Sequence, residues 1–263
     1  MHIPRRTFLI SGGASGLGLA TARGLHARGA AVAILDSSEE AGEAVVAELG
    51  PERARFFETD VSDETSVGDA VKGVVEWAKS TDFELGGVVA AAGVGLPGKI
   101  VDRNNEPLSL SSVNTVFGIN VRGTVDLIRQ TVPHLVKTSP GNPDGEQGVL
   151  ILVSSSAAFE GQQGQVAYSA SKGAVASMTL PLARDLAQYG IRAVAIAPGW
   201  FETKMTSLMN EKTKKSLERV MEFPKRPGDP EEFARLVVEV VENGMLNGTV
   251  IRLDGALRMP SRL

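Results

Sequence analysis

No cysteine occurs among the 263 residues, which removes disulfide frameworks, a thiol nucleophile and thiolate metal sites from consideration. Histidine is nearly absent as well: His2, His26 and His134 are scattered and share no metal-ligand spacing. Zinc chemistry and Ser-His-Asp chemistry therefore lack their parts. No long hydrophobic run is present, since the apolar stretch around Gly86 to Leu96 is rich in glycine and far short of the ~20 residues that cross a bilayer. The opening MHIPRRTFLI runs directly into a strand-like segment and leaves no room for a secretory apolar region, so the expected compartment is the cytoplasm. Asn247-Gly248-Thr249 then reads as a turn rather than a glycosylation site. An excess of positive charge is missing too. The net charge of −4 gives nucleic acid and anionic membrane no general attraction, and a small soluble partner is expected instead.

What the chain does have is 43% apolar residues, enough for one sizeable core, and 1–263 is read as one domain. Short runs of Val, Ile, Leu and Ala alternate with longer segments of helical period, the pattern of a parallel sheet covered on both faces. Strands are expected at Arg6 to Ser11, Ala31 to Asp36, Ala54 to Asp60, Gly87 to Ala92, Val149 to Ser154, Ile191 to Ala197 and Thr249 to Leu253. Helices are expected at Leu17 to Arg28, Ser38 to Leu49, Asp63 to Lys79, Leu110 to Val136, Gln165 to Gln188 and Glu231 to Glu242. The fold class is thus α/β: a doubly wound Rossmann fold with a seven-stranded parallel sheet. Gly95 to Ser109 and Pro140 to Gly148 are polar and turn-rich and read as loops, the first as an insertion of about 95–109. Phe201 to Arg226 reads as a partly helical lid beside the ligand crevice.

After the first strand comes Ser11-Gly12-Gly13-Ala14-Ser15-Gly16-Leu17-Gly18, leading straight into a helix. Missing side chains let backbone approach a pyrophosphate, and the helix start offers unpaired N–H groups and the positive end of its dipole. Glycine turns of this kind also serve packing. Here, however, Asp36 ends the second strand 18 residues after Gly18, where a carboxylate accepts bonds from both adenosine ribose hydroxyls and repels a 2′-phosphate. NAD is therefore the expected cofactor over NADP, with Arg28 the one nearby cation that complicates the choice. Asp60-Val61 either borders the adenine or caps the next helix.

Tyr168 and Lys172 stand four apart on a predicted helix, about 5–6 Å between Cβ atoms. An ammonium so placed stabilises phenolate and turns tyrosine into a usable proton carrier. The same spacing also suits a surface hydrogen bond. Thirteen residues earlier, Ser155 ends the fifth strand, on the side of an open α/β sheet that faces the ligand crevice, so it could bind the substrate oxygen while Tyr168 exchanges its proton.

Through Gly12/Gly16/Gly18, Asn120, Ser155, Tyr168-x-x-x-Lys172 and Pro198-Gly199, essentially the whole chain resembles the short-chain dehydrogenase/reductase family. That resemblance implies that Ser155 and Tyr168 polarise a carbonyl, that Lys172 contacts the nicotinamide ribose and that Asn120 holds a water in a proton relay. It also implies that Pro198, Gly199 and Thr203 grip the carboxamide, although Gly199 could serve the turn alone. Cofactor contacts are further implied for Ser11, Ser15, Leu17, Ala92 and Gly93. Two departures occur: serine leads the glycine motif where threonine is usual, and the turn after strand four is Ala90-Ala91-Ala92-Gly93, which lacks an amide that braces the sheet. Longer matches, such as Ala158-Phe159-Glu160-Gly161-Gln162 and Ile251-Arg252-Leu253-Asp254-Gly255-Ala256, resemble the branch that oxidises 3-hydroxyacyl-CoA thioesters. On that reading Lys99, Arg103, Lys204, Lys212, Lys214 and Lys215 either meet the CoA phosphates or are solvated surface charge. A homotetramer is implied, with Arg258 to Leu263 packing across an interface. Carrier-protein thioesters, sugars and steroids remain alternative substrates, and a non-catalytic NAD-binding scaffold subunit is the alternative of another class.

Overall fold

A computed structural model describes residues 1–203, 206 and 211–259, without the side chains of 211–213, 215 and 216. Seven strands, β1 (Arg6–Ser11), β2 (Ala31–Asp36), β3 (Ala54–Glu58), β4 (Glu84–Ala90), β5 (Gly148–Val153), β6 (Ile191–Pro198) and β7 (Thr249–Leu253), form one sheet in the order β3-β2-β1-β4-β5-β6-β7. Every pairing is parallel. Chain direction across the sheet reverses between β1 and β4, and a crevice opens beyond their carboxyl ends at such a switch point.

The central strands are buried on both faces, which is why they read as unbroken apolar runs. Alternate residues serve opposite cores. Leu9, Ala33, Val88 and Leu150 pack under α3 (Glu64–Thr81), α5 (Thr124–Leu135) and α6 (Val166–Leu186). Phe8, Ile10, Ile34 and Ile151 pack under α1 (Gly16–Ala27), α2 (Glu39–Leu49) and α8 (Pro230–Glu242). Asp229 caps α8 in a capping box with Glu232, and Pro230 stands at its first position, as the residue types favour.

Several boundaries differ from those expected by one to three residues, and three differences have a structural reason. β4 begins at Glu84 rather than Gly87, because Gly86 and Gly87 are strand residues where a side chain cannot fit: a Cβ would lie 2.9 Å from the Phe8 ring and 2.1 Å from the Val149 carbonyl oxygen, respectively. β3 ends at Glu58, leaving Thr59 to Val61 in a turn at the crevice. The helix expected over Leu110 to Val136 is broken into α4 (Leu110–Phe117), a π-helical turn Gly118–Gly123, and α5. The wider turn changes the helix phase, and Gly123 lets it approach Val61 so closely that a Cβ would stand 2.6 Å from the Val61 carbonyl oxygen.

The 95–109 insertion is a loop with two isolated bridges, Gly98 to Gln165 and Val101 to Pro107, and an Asx turn in which Asp102 accepts from Asn104 and Glu106 N–H. Gly248 N–H donates to Ala193 O and Asn247 Oδ1 accepts from Ala193 N–H, so 247–249 is a turn into β7. The expected lid lies partly outside the described residues, as do Lys204, the side chains of Lys212 and Lys215, and tail residues 260–263. Its described part contains α7 (Glu211–Val220) and a bridge from Phe201 to Gly228. Among the described residues, no helix is long and apolar enough to cross a membrane.

Candidate active site

At the carboxyl ends of the central strands lies a cleft of ≈ 340 Å³. Its floor is the glycine turn. Gly12 adopts φ +65°, and a Cβ on Gly18 would lie 2.1 Å from the Gly12 carbonyl oxygen, so the turn closes only without that side chain. α1 starts here with no side-chain cap bond from Ser15 and no acidic residue in its first turn. Its leading N–H groups and positive dipole end are thus left for an anion. Ser15, Gly16, Leu17 and Gly18 all line the cleft, and Thr203 faces Gly16 at 3.5 Å from where a Cβ would stand.

At one end, Asp36 closes β2. Its Oδ2 accepts from Ala14 N–H at 3.1 Å and its Oδ1 from Ser38 N–H at 3.2 Å, so the carboxylate also ties β2 to the glycine turn. Asp60 and Val61 line the same end. Asp60 accepts from the Ser62 backbone and hydroxyl at 2.8 and 2.7 Å, which hold its carboxyl below the ordinary range. Asp63, not Asp60, caps α3. Arg28 is held by Glu242 at 2.6 Å and lies outside the cleft.

At the other end, Tyr168 and Lys172 project from α6 beside Pro198 and Thr203. Lys172 is buried and donates to Val153 O at 2.8 Å, its carbonyl accepts from Ser154 Oγ at 2.8 Å, and its Nζ lies 5.9 Å from the Tyr168 ring centre. These bonds bind α6 to the end of β5. Burial lowers the Lys172 ammonium to about 8. Burial also raises the half-buried Tyr168 phenol above its ordinary value, opposed by its hydrogen bond with Ser155. The direction is the reverse of the depressed phenol expected from spacing: both groups occupy one desolvated pocket, and desolvation disfavours the charged form of each.

Ser155, buried, caps the short 3-10 turn Ser156–Ala158 by accepting from Ala157 N–H at 3.1 Å. It stands at the Tyr168 hydroxyl rather than on the lining of the cleft. Asn120 is fully buried and also off that lining; its Oδ1 accepts from Val94 N–H at 2.8 Å, and its Nδ2 donates to Val94 O at 2.9 Å and Ser171 Oγ at 3.0 Å. Its side chain thus clamps the segment after β4 to α6, and its Oδ1 lies 3.3 Å from where a Cβ on the cleft residue Gly93 would stand. This clamp, with Ser11 Oγ accepting from Ala92 N–H at 3.2 Å, supplies the bracing that the alanine-rich turn lacks. Ala92 and Gly93 line the cleft, and a Cβ on Gly93 would meet Lys172 Nζ at 3.2 Å. Gly199 donates to Leu253 O at 2.9 Å, and a Cβ would stand 2.7 Å from that of Asp254.

The cleft also contains Leu35, Ser37, Thr59, Ala91, Val94, Ile119, Val153 and Ser154, which the sequence reading did not single out. Ser37 and Ser154 neighbour marked residues and could have been found by adjacency. Ile119 and Val153 are apolar residues whose sequence context is no different from core.

This fold and site define a class of protein. Residues 6–214 match the short chain dehydrogenase family, and the chain belongs to it. It is an oxidoreductase acting on a small molecule. A 3-hydroxyacyl-CoA dehydrogenase type-2 of Drosophila melanogaster is 44% identical, covering 95% of this chain and 96% of the fly protein. The Homo sapiens protein of the same name is 42% identical, covering 95% and 94%. A crystal structure of 3-hydroxyacyl-CoA dehydrogenase type-2 from Mycobacterium avium superposes with TM-score 0.90 at 38% identity, covering 98% of this chain and 97% of that one. A 3-ketoacyl-(acyl-carrier-protein) reductase from Brucella melitensis complexed with NADH superposes with TM-score 0.81 at 27% identity, covering 98% and 100%. Family membership, together with that NADH complex, supports a nicotinamide cofactor.

Proposed function

We propose that this chain is an NAD-dependent 3-hydroxyacyl-CoA dehydrogenase, interconverting the 3-hydroxyacyl and 3-ketoacyl thioesters. The observation that carries the reading is the convergence of Tyr168, Ser155 and buried Lys172 at one end of a cleft whose other end is lined, among the described residues, by two carboxylates, Asp36 and Asp60, and by no cation. The group that fits the glycine turn is a dinucleotide pyrophosphate: the uncapped start of α1 receives it, and Pro198 and Thr203 border the nicotinamide end. When bound, the nicotinamide accepts or donates the hydride.

In the oxidation direction Tyr168 takes the substrate hydroxyl proton and in reduction returns it to the ketone oxygen. Ser155 donates a hydrogen bond to the same oxygen, fixing it against the phenol. Lys172, protonated, offsets charge on the phenolate across the shared low-dielectric pocket. Asn120 positions this set by holding Val94 to α6, the helix that carries Tyr168 and Lys172.

NAD is favoured because, among the described residues lining the cleft, Lys172 is the one cation, and it stands at the catalytic end. Nothing there neutralises a 2′-phosphate beside Asp36. Asp36→Asn keeps an acceptor for Ala14 N–H but removes the charge. It should improve the NADPH-to-NADH preference about tenfold or more, equivalent to removing ~1.4 kcal/mol of repulsion. An unchanged ratio of kcat/KM for the two cofactors refutes the role of Asp36.

The thioester reading is supported by the 95–109 loop, which closes on the start of α6. Gly98 N–H donates to Gly164 O at 2.8 Å, and a Cβ on Gly95 would stand 3.6 Å from the Tyr168 ring. Leu96, Ile100, Phe159 and Val166 present apolar surface around this mouth, and Lys99 and Arg103 are exposed on the same loop. A long acyl-pantetheine suits the former and CoA phosphates the latter. The assembly implied by family resemblance is a homotetramer. NADH absorbance with acetoacetyl-CoA, a steroid ketone and a simple ketone tests the substrate: fastest consumption is expected with the thioester, and turnover confined to the other two overturns it.

A further inference from the structure

The chain just after Ser155 is tied down from far away. Phe159 and Glu160 N–H both bond to Ser156 O at 3.0 Å, completing the turn that Ser155 caps. Glu160 then reaches out of it. Its Oε1 accepts from Arg252 Nη1 of β7 at 2.7 Å and lies 3.3 Å from Arg258 Nε, while its Oε2 accepts from Met259 N–H at 3.1 Å. Arg252 also donates to Asp254 at 2.7 Å and Leu257 O at 3.2 Å, and its guanidinium lies 5.5 Å above the Phe159 ring. Leu257 is fully buried and packs with Trp200 and Leu217. The exposures of Arg252 and Glu160, 24% and 20%, make this a sheltered pair rather than a solvated rim contact. Neither residue lines the cofactor cleft.

From this arrangement we infer that Glu160 is a positioning residue for the reaction. By fastening the turn after Ser155 to Arg252 and to the 254–259 segment, it holds the Ser155 hydroxyl at Tyr168. The inference rests on the roles given to Ser155 and Tyr168 above. Without that fastening the turn is held only by its own bonds and by the onward chain into α6, which leaves Ser155 room to shift, and displacements of about 1 Å near reacting atoms cost large factors in rate. The cofactor contacts lie elsewhere and stay unchanged.

The test is a double-mutant cycle in the full-length protein, with kcat, NADH affinity and thermal midpoint measured for each variant. Glu160→Gln should lower kcat about tenfold with NADH affinity unchanged, and in a Ser155→Ala background the same substitution should change kcat by less than about twofold, since the group it positions is gone. Arg252→Lys, which keeps the charge, should retain more of kcat than Arg252→Met. If Glu160→Gln does not fold, those two arginine variants in both backgrounds complete the cycle from the other partner, with the same expectation. Equal losses in both backgrounds, or a lowered midpoint with kcat intact, overturn the positioning role while leaving the catalytic reading in place. A Ser155→Ala enzyme with undiminished kcat overturns the role of Ser155 itself, and the positioning role with it.

Discussion

Tyr168→Phe is expected to lower turnover by ~10²–10⁴-fold, the range for removing a positioned general acid-base, while NADH affinity stays close to that of the unsubstituted protein. The substitution deletes one oxygen and leaves the ring against Gly95 and the α6 packing intact, so a folding defect does not account for the loss. Affinity follows from NADH fluorescence titration and turnover from NADH absorbance. A pH profile separates proton exchange from simple orientation. Burial holds Tyr168 above its ordinary value, so below about pH 8 the phenolate fraction, and with it alcohol oxidation, should rise roughly tenfold per pH unit. Lys172 loses its proton through about 8. Above that pH each gain in phenolate is matched by a loss of the ammonium that stabilises it, and the profile should level off. A Tyr168→Phe enzyme that keeps both its turnover and the rising limb removes Tyr168 from the chemistry.

Gly18→Ala should weaken cofactor binding about 5- to 150-fold, the equivalent of ~1–3 kcal/mol of overpacking. The added methyl would stand 2.1 Å from the Gly12 carbonyl oxygen and 2.7 Å from its carbon. Both are backbone atoms, so relief requires the turn itself to move, and with it the N–H groups at the start of α1 that are proposed to receive the pyrophosphate. Part of the strain should surface as a lowered thermal midpoint of the protein alone. Gly244→Ala is the control: a Cβ there meets nothing within 4 Å, and neither affinity nor midpoint should change. Unaltered NADH affinity in the Gly18 variant means that the turn does not hold the dinucleotide.

Most of the sheet was legible because β1, β2, β5 and β6, buried on both faces, need largely apolar sequence. β4 was expected too, but its start before Gly87 was not legible, since Gly86 resembles a turn until Phe8 is known to lie beside it. Among the site residues, the glycine turn, Asp36 and the Tyr168-Lys172 pair are local patterns in which the chemistry fixes spacing. Asn120 was visible through family likeness, but its contacts with Val94 and Ser171, 26 and 51 residues away, were not.

The sequence by itself determined the class of fold, the glycine-rich turn and the Tyr168-Lys172 pair, because each depends on periodicity or on residues within one or two helical turns. Only the tertiary structure decided the π-helical break beside Val61, the clamp made by Asn120, the direction in which Tyr168 is shifted and the tether from Glu160 to Arg252. Those depend on burial and on partners distant in the chain, and desolvation is a property of what surrounds a residue rather than of what adjoins it in sequence.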